Sequence, residues 1–109
     1  EGIMNSEELQ IAAFEIILNS GNARTIVHEA FGAMREDNYD LAATKLAEAN
    51  DELLKAHQAQ THLLHEYAGG TEITIEIIMV HAQDHLMTTM TLREVALEML
   101  ELYKKVDSK

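Results

Sequence analysis

The sequence predicts an all-α fold made of three helices. Three observations carry this. The 109 residues include no Pro and only five Gly, while good helix formers such as Ala, Leu, Glu, Lys and Met are frequent. Apolar residues recur at helical spacing in three long segments. Between those segments lie "EDNYD" at 36–40, which reads as a turn, and "AGG" at 68–70, which reads as a helix stop. The length fits a single domain over residues 1–109.

The first segment runs from about Ser6 to Asn38. Leu9, Ala12, Ala13, Ile16 and Ile17 follow the i, i+3, i+4, i+7, i+8 pattern of one helix face. Asn5 or Ser6 can cap its start, with Glu7 and Glu8 in the positively polarised first turn. Gly21, inside "NSGNAR" at 19–24, costs roughly 1 kcal/mol relative to Ala in a helix interior. It leaves open whether the helix runs through, kinks or breaks there. Ile26, Val27, Ala30, Phe31 and Met34 then resume the period.

The second segment runs from about Leu41 to Ala68, with Asn38 or Asp40 as its cap. Its apolar positions include Leu46, Ala49, Leu53, Ala56, Leu63 and Leu64. The third runs from about Thr74 to Lys105. Its opening, "TEITIEIIMV", alternates like a strand. A lone strand in a helical chain has no partner, so helix is expected from Thr74, and Glu1–Ile3 are given no structural weight. Ile75, Met79, Ala82, Leu86, Met90, Leu97 and Leu100 make one stripe. Ile77, Val80, Met87, Val95 and Leu102 lie off it. A helix apolar on two sides needs cover on two sides. Two sister helices cover one, and another subunit is expected to cover the other.

The formal net charge is −11 with only eight Lys and Arg, spread along the chain. That disfavours a nucleic-acid binder and an anionic membrane surface. The longest apolar run, Ile73 to Val80, is interrupted by Thr74 and Glu76 and is too short to span a bilayer. No basic n-region with an apolar h-region opens the chain. The expectation is a soluble cytoplasmic protein. Without Cys there is no disulfide, thiolate ligand or thiol nucleophile.

Within the two-sided helix sits "VHAQDHLMTT" at 80–89. His81, Asp84, His85 and Thr88 fall at i, i+3, i+4, i+7 and share a face, which Gln83 does not. Three ionisable groups on an apolar face need compensation. A single such His is most often a core residue with a local partner. Three metal ligands are chemically suitable here, yet their order is not the H-E-x-x-H zinc signature. His62 and His65 on the second helix have a suggestive spacing, and an exposed polar face explains them, with His57, more simply. A nucleophilic imidazole is the third reading, because neutral His is available near pH 7 and can carry a covalent group. Spacing alone does not choose between a metal site and a phosphoryl carrier.

"VHAQDHLMTTM" at 80–90 resembles the active-site segment of the lactose/cellobiose-type enzyme IIA family of the bacterial phosphoenolpyruvate-dependent sugar phosphotransferase system. The pattern H-[GA]-Q-D-H-L-M is specific. Further matching stretches are "FEIILNSGNAR" at 14–24, "KAHQAQTHLL" at 55–64 and "ELYKK" at 101–105. The resemblance implies a single enzyme IIA domain over residues 1–109, folded as an antiparallel three-helix bundle that assembles as a homotrimer through its last helices. It implies that His81 accepts a phosphoryl group from the histidine-containing phosphocarrier protein and passes it to a cognate enzyme IIB. It implies that Asp84 meets its two symmetry mates around a divalent cation such as Mg²⁺, and that Gln83 and His85 line the site in supporting roles. Three converging carboxylates repel unless protonated or bridged by a cation, and oxygen ligands suit Mg²⁺. Ala82, where Gly is the other residue of the pattern, leans the sugar toward cellobiose or diacetylchitobiose over lactose. The competing reading is a non-catalytic helical interaction module whose histidines are structural or bind metal.

Overall fold

The protein's structure, a computed structural model, describes residues 2–109. Three helices, α1 (Ser6–Arg35), α2 (Tyr39–Ala68) and α3 (Ile77–Asp107), form an up-down-up bundle 59 Å long. α1 is continuous through Gly21. Thirty residues rich in Ala, Glu and apolar side chains, held against two neighbours, outweigh the cost of the two glycines, Gly21 and Gly32.

Caps fix each end. The Asn5 side chain accepts from Glu8 N–H at 2.9 Å, and Asn38 accepts from Leu41 N–H at 3.2 Å. α1 and α2 stop in the same way. At the end of α1, Asn38 N–H donates to Ala33 C=O and Asp37 N–H to Met34 C=O, with Asp37 left-handed at φ 61°. At the end of α2, Thr71 N–H donates to Glu66 C=O and Gly70 N–H to Tyr67 C=O, with Gly70 at φ 103°. Both are Schellman closures, which satisfy carbonyls the helix leaves free.

The third segment departs from expectation at its start. α3 begins at Ile77, not Thr74, and Glu72–Ile73 form a short strand, β2, paired in parallel with β1 (Ile3–Met4). The partner strand includes Ile3, from the stretch expected to carry no structural weight. Glu72 N–H donates to Gly2 C=O at 2.8 Å, and Ser6 Oγ–H donates to the Glu76 carboxylate at 3.0 Å. These contacts stitch the base of α1 to the base of α3 and make the two helices run parallel. Met4 is buried beneath the stitch.

The core is built on small residues. Ala13, Ala23 and Ala30 of α1, Ala42, Ala49 and Ala56 of α2, and Ala82 and Ala96 of α3 are fully buried. They let the helix axes approach, while Leu9, Ile16, Val27, Met34, Leu46 and Leu86 fill the space between. Each of these larger side chains contributes about 1.5–3 kcal/mol of burial. On α3, Met79, Ala82, Leu86 and Leu100 point inward as the first stripe predicts. Ile75 precedes the helix and is 82% exposed, and Leu97 and, on α2, Leu64 are also exposed, so these three leave the predicted core. The second stripe, Ile77, Val80, Met87, Val95 and Leu102, is exposed throughout. The two-sided apolar character of α3 is therefore real, and one side is open.

Candidate functional site

The polar residues of "VHAQDHLMTT" fan around α3 between its buried and open sides. Ala82 and Leu86 are the fully buried anchors of the fan. They fix the rotation of the helix and hence the direction of every neighbour. His81, Asp84 and Thr88 emerge on the exposed surface. His85, between them and the core, is half-buried. Gln83 is also half-buried, on the opposite flank against α2.

The two imidazoles differ in access. Their rings lie parallel, 5° apart in plane, with centroids 6.1 Å apart. His85 turns toward α1: a Cβ placed on Gly21 would sit 3.7 Å from His85 Nε2. The His85 ring thus packs where α1 carries no side chain. His81, one turn earlier, has the open position.

Gln83 is committed elsewhere. Its Oε1 accepts from Gln60 Nε2 of α2, and its Nε2 approaches Met79 Sδ at 3.6 Å. The two glutamines form a polar strut between α2 and α3 and leave Gln83 turned away from His81 of its own chain. Gln60 lies in "KAHQAQTHLL", and nothing in its helical period marked it as Gln83's partner. Thr88 Oγ1–H is spent on the Asp84 carbonyl at 2.8 Å.

Asp84 stands in the open apolar stripe, flanked by Ile77, Val80 and Met87. Among the described residues no group of three or more His, Asp or Glu converges within one chain. His57, His62 and His65 of α2 are exposed, as a solvated polar face requires. Among the described residues, two buried hydroxyls, Ser20 Oγ and Thr89 Oγ1, have no hydrogen-bond partner. Ser20 adjoins Gly21 in sequence, and Thr89 lies one turn beyond His85.

A bundle of three long helices with a histidine pair at its surface, one ring open and one shielded, has the form of a small phosphotransfer protein. The model of one such family, the lactose/cellobiose-specific IIA subunit of the phosphotransferase system, matches residues 11–104. The chain belongs to this lactose/cellobiose-specific IIA family. It is 43% identical over 102 residues to a lactose-specific EIIA component of Staphylococcus epidermidis, covering 94% of this chain and 98% of that one. It is 44% identical over 101 residues to a lichenan-specific enzyme IIA component of Bacillus subtilis, covering 93% and 92%. Among solved structures it is similar to PtcA from S. mutans, with 86% identity, TM-score 0.92 and coverage of 93% of this chain and 99% of that one. It also resembles the cellobiose-specific enzyme IIA of Bacillus anthracis, with 37% identity, TM-score 0.89 and coverage of 97% and 95%. The IIA(Chitobiose) protein, solved in complex with HPr from the diacetylchitobiose branch of the Escherichia coli system, is 31% identical with TM-score 0.78, covering 94% and 99%. No helix among the described residues is long and apolar enough to cross a membrane.

Proposed function

We propose that His81 is the phosphoryl carrier of this IIA protein. One observation carries the choice between the two histidines. His81 is exposed, whereas His85 is half-buried with Nε2 directed at Gly21. A nucleophile must reach a phosphorus held by another protein, and only the open ring can do so. The donor is the histidine-containing phosphocarrier protein, in keeping with the HPr complex of the chitobiose relative. A lone pair of the His81 ring forms the new N–P bond as the donor's N–P bond breaks, its electron pair returning to the donor imidazole. A second displacement passes the group on: a nucleophile of the cognate enzyme IIB bonds to the phosphorus as the His81 N–P bond breaks, its electron pair returning to the His81 ring. His85, stacked parallel to His81, limits the rotation of that ring and is a positioning residue. Gln83 acts in support through its strut to Gln60.

The open stripe of α3 is the surface on which three copies associate. Ile77, Asp84, Thr91, Val95 and Leu102 line up along it within one helical face. With three copies parallel about this line, three Asp84 carboxylates meet at the axis. That donor set fits a hard divalent cation such as Mg²⁺, which would be held by Asp84 of each copy and would neutralise their mutual repulsion. The sugar served by the system is a β-linked disaccharide of the cellobiose or chitobiose kind, with lactose the second choice. The lichenan, cellobiose and chitobiose names among the relatives support the first choice, and the lactose-specific names support the second. Ala82 is fully buried, so its bearing on the sugar is through kinship, not contact. The protein works in the cytoplasm.

The test is a reconstituted relay of phosphoenolpyruvate, enzyme I and the phosphocarrier, followed by a panel of enzyme IIB partners. The protein should gain one acid-labile phosphoryl group per chain and deliver it to a β-glucoside-type IIB. Delivery to none of the panel would sink the relay role.

A further inference from the structure

We infer that Arg24 of α1 is the cation that receives the phosphoryl group borne by His81. The inference rests on the phosphocarrier reading above. A phosphoryl group adds roughly −2 at neutral pH to a chain whose net charge is already −11. Such a load is unfavourable unless a cation lies within reach of it.

The eight Lys and Arg narrow to one. Lys45 is held by Glu29 at 3.1 Å and Glu48 at 3.8 Å, and Lys55 by Glu52 at 2.6 Å. Arg93 donates its Nε–H to the Leu46 carbonyl of α2 at 2.8 Å. Arg35 ends α1, and Lys104, Lys105 and Lys109 lie at the end of the chain. At ~1.5 Å of rise per residue, Lys104 stands about 35 Å along α3 from His81. Arg24 remains. It is exposed and in no ion pair among the described residues.

Its place is beside the histidines. Gly21 of α1 faces His85, a Cβ there lying 3.7 Å from its Nε2. Arg24 follows it at i+3, so the two Cβ positions are about 5–6 Å apart on neighbouring parts of one face. A long side chain on a helix leans toward the N-terminus of its own helix. For Arg24 that is toward Gly21 and His85. Because α1 and α3 run parallel, it is also the direction from His85 toward His81. Gly21 has no side chain to block the way. The guanidinium can then offer two parallel N–H donors to phosphoryl oxygens, which a Lys ammonium cannot.

The experiment compares wild type with Arg24→Lys, Arg24→Gln and Arg24→Glu, all at an exposed helix position that tolerates polar residues. Two readouts are taken: the rate of labelling by the phosphorylated phosphocarrier, and the pH titration of the phosphohistidine followed by phosphorus NMR. Arg24→Gln should slow labelling about tenfold or more, the loss of a hydrogen bond to a charged group. It should also move the second ionisation of the phosphoryl group to higher pH, since the cation favours the dianion. Both effects should rise in the order Arg, Lys, Gln, Glu. An unchanged titration overturns the inference, and slowed labelling with that unchanged titration assigns Arg24 to partner docking instead. Wild type that does not label, or His81→Ala that does, overturns the phosphocarrier reading itself and is scored before any Arg24 comparison.

Discussion

His81 and His85 carry the same ring one helical turn apart, and their surroundings give them different work. The open ring can exchange a phosphoryl group, and the shielded one can hold its neighbour in place. His85→Ala should therefore still be labelled, more slowly, as read by the initial rate of phosphoryl transfer. Complete loss of labelling in that variant would move the nucleophile to His85. Gly21 can be tested through its own chemistry. A Cβ there would meet His85 Nε2 at 3.7 Å, an ordinary contact. Gly21→Ala should stabilise the helix interior by up to ~1 kcal/mol, measured by urea unfolding. Gly21→Leu should instead push on the His85 ring and slow transfer while leaving helix content intact by circular dichroism.

At the scale of elements, the caps and the turns were largely legible before the structure. Asn5 and Asn38 cap as their residue type predicts, and "AGG" closes α2 through a left-handed Gly70. The start of α3 was not. Residues 71–76 look like a strand, and they are one in part, because their partner lies some seventy positions away at Ile3–Met4. Local pattern cannot reveal a two-residue pairing that depends on where the helices bring the chain ends together. Gln60 escaped for the same reason: its importance comes from facing Gln83 across two helices. Tyr39 gives a prediction at this scale. Its phenol is pushed up from 10.0 to about 12 by desolvation first, then by hydrogen bonding to Asp107 and Asp37. The phenol O–H donates to Asp37 at 3.2 Å, and its ring lies 6.4 Å from that of Tyr103 near the end of α3. This contribution is fully present below pH 10 and is lost as pH rises through about 12. Tyr39→Phe should flatten the fall in thermal stability across that window. In the core, Leu86→Ala should cost about 2–5 kcal/mol by the same urea measurement, since it empties a fully buried position.

For the whole molecule, the open apolar face of α3 and the carboxylate inside it belong together. Sequence periodicity separates the two stripes of α3, and Met79, Ala82 and Leu86 turn inward while Ile77, Val80 and Met87 turn outward, with Ile75 and Leu97 of the first stripe exposed against that division. It could not reveal which histidine was open, because that depends on the approach of Gly21 from another helix. Asp84→Leu should replace a charge by a side chain that packs. It should give a trimer by analytical ultracentrifugation that persists in a chelator, while the parent protein should be weakened by metal removal. Monomers of Asp84→Leu would contradict the axial placement of that residue. The central claim is narrower, that His81 alone carries the phosphoryl group. Its most direct test is site mapping. The protein is phosphorylated through the phosphocarrier, kept alkaline, cleaved, and the fragment bearing both histidines is sequenced by mass spectrometry. The phosphoryl group should sit on His81 in every labelled chain. Its appearance on His85, or on neither, would contradict the account.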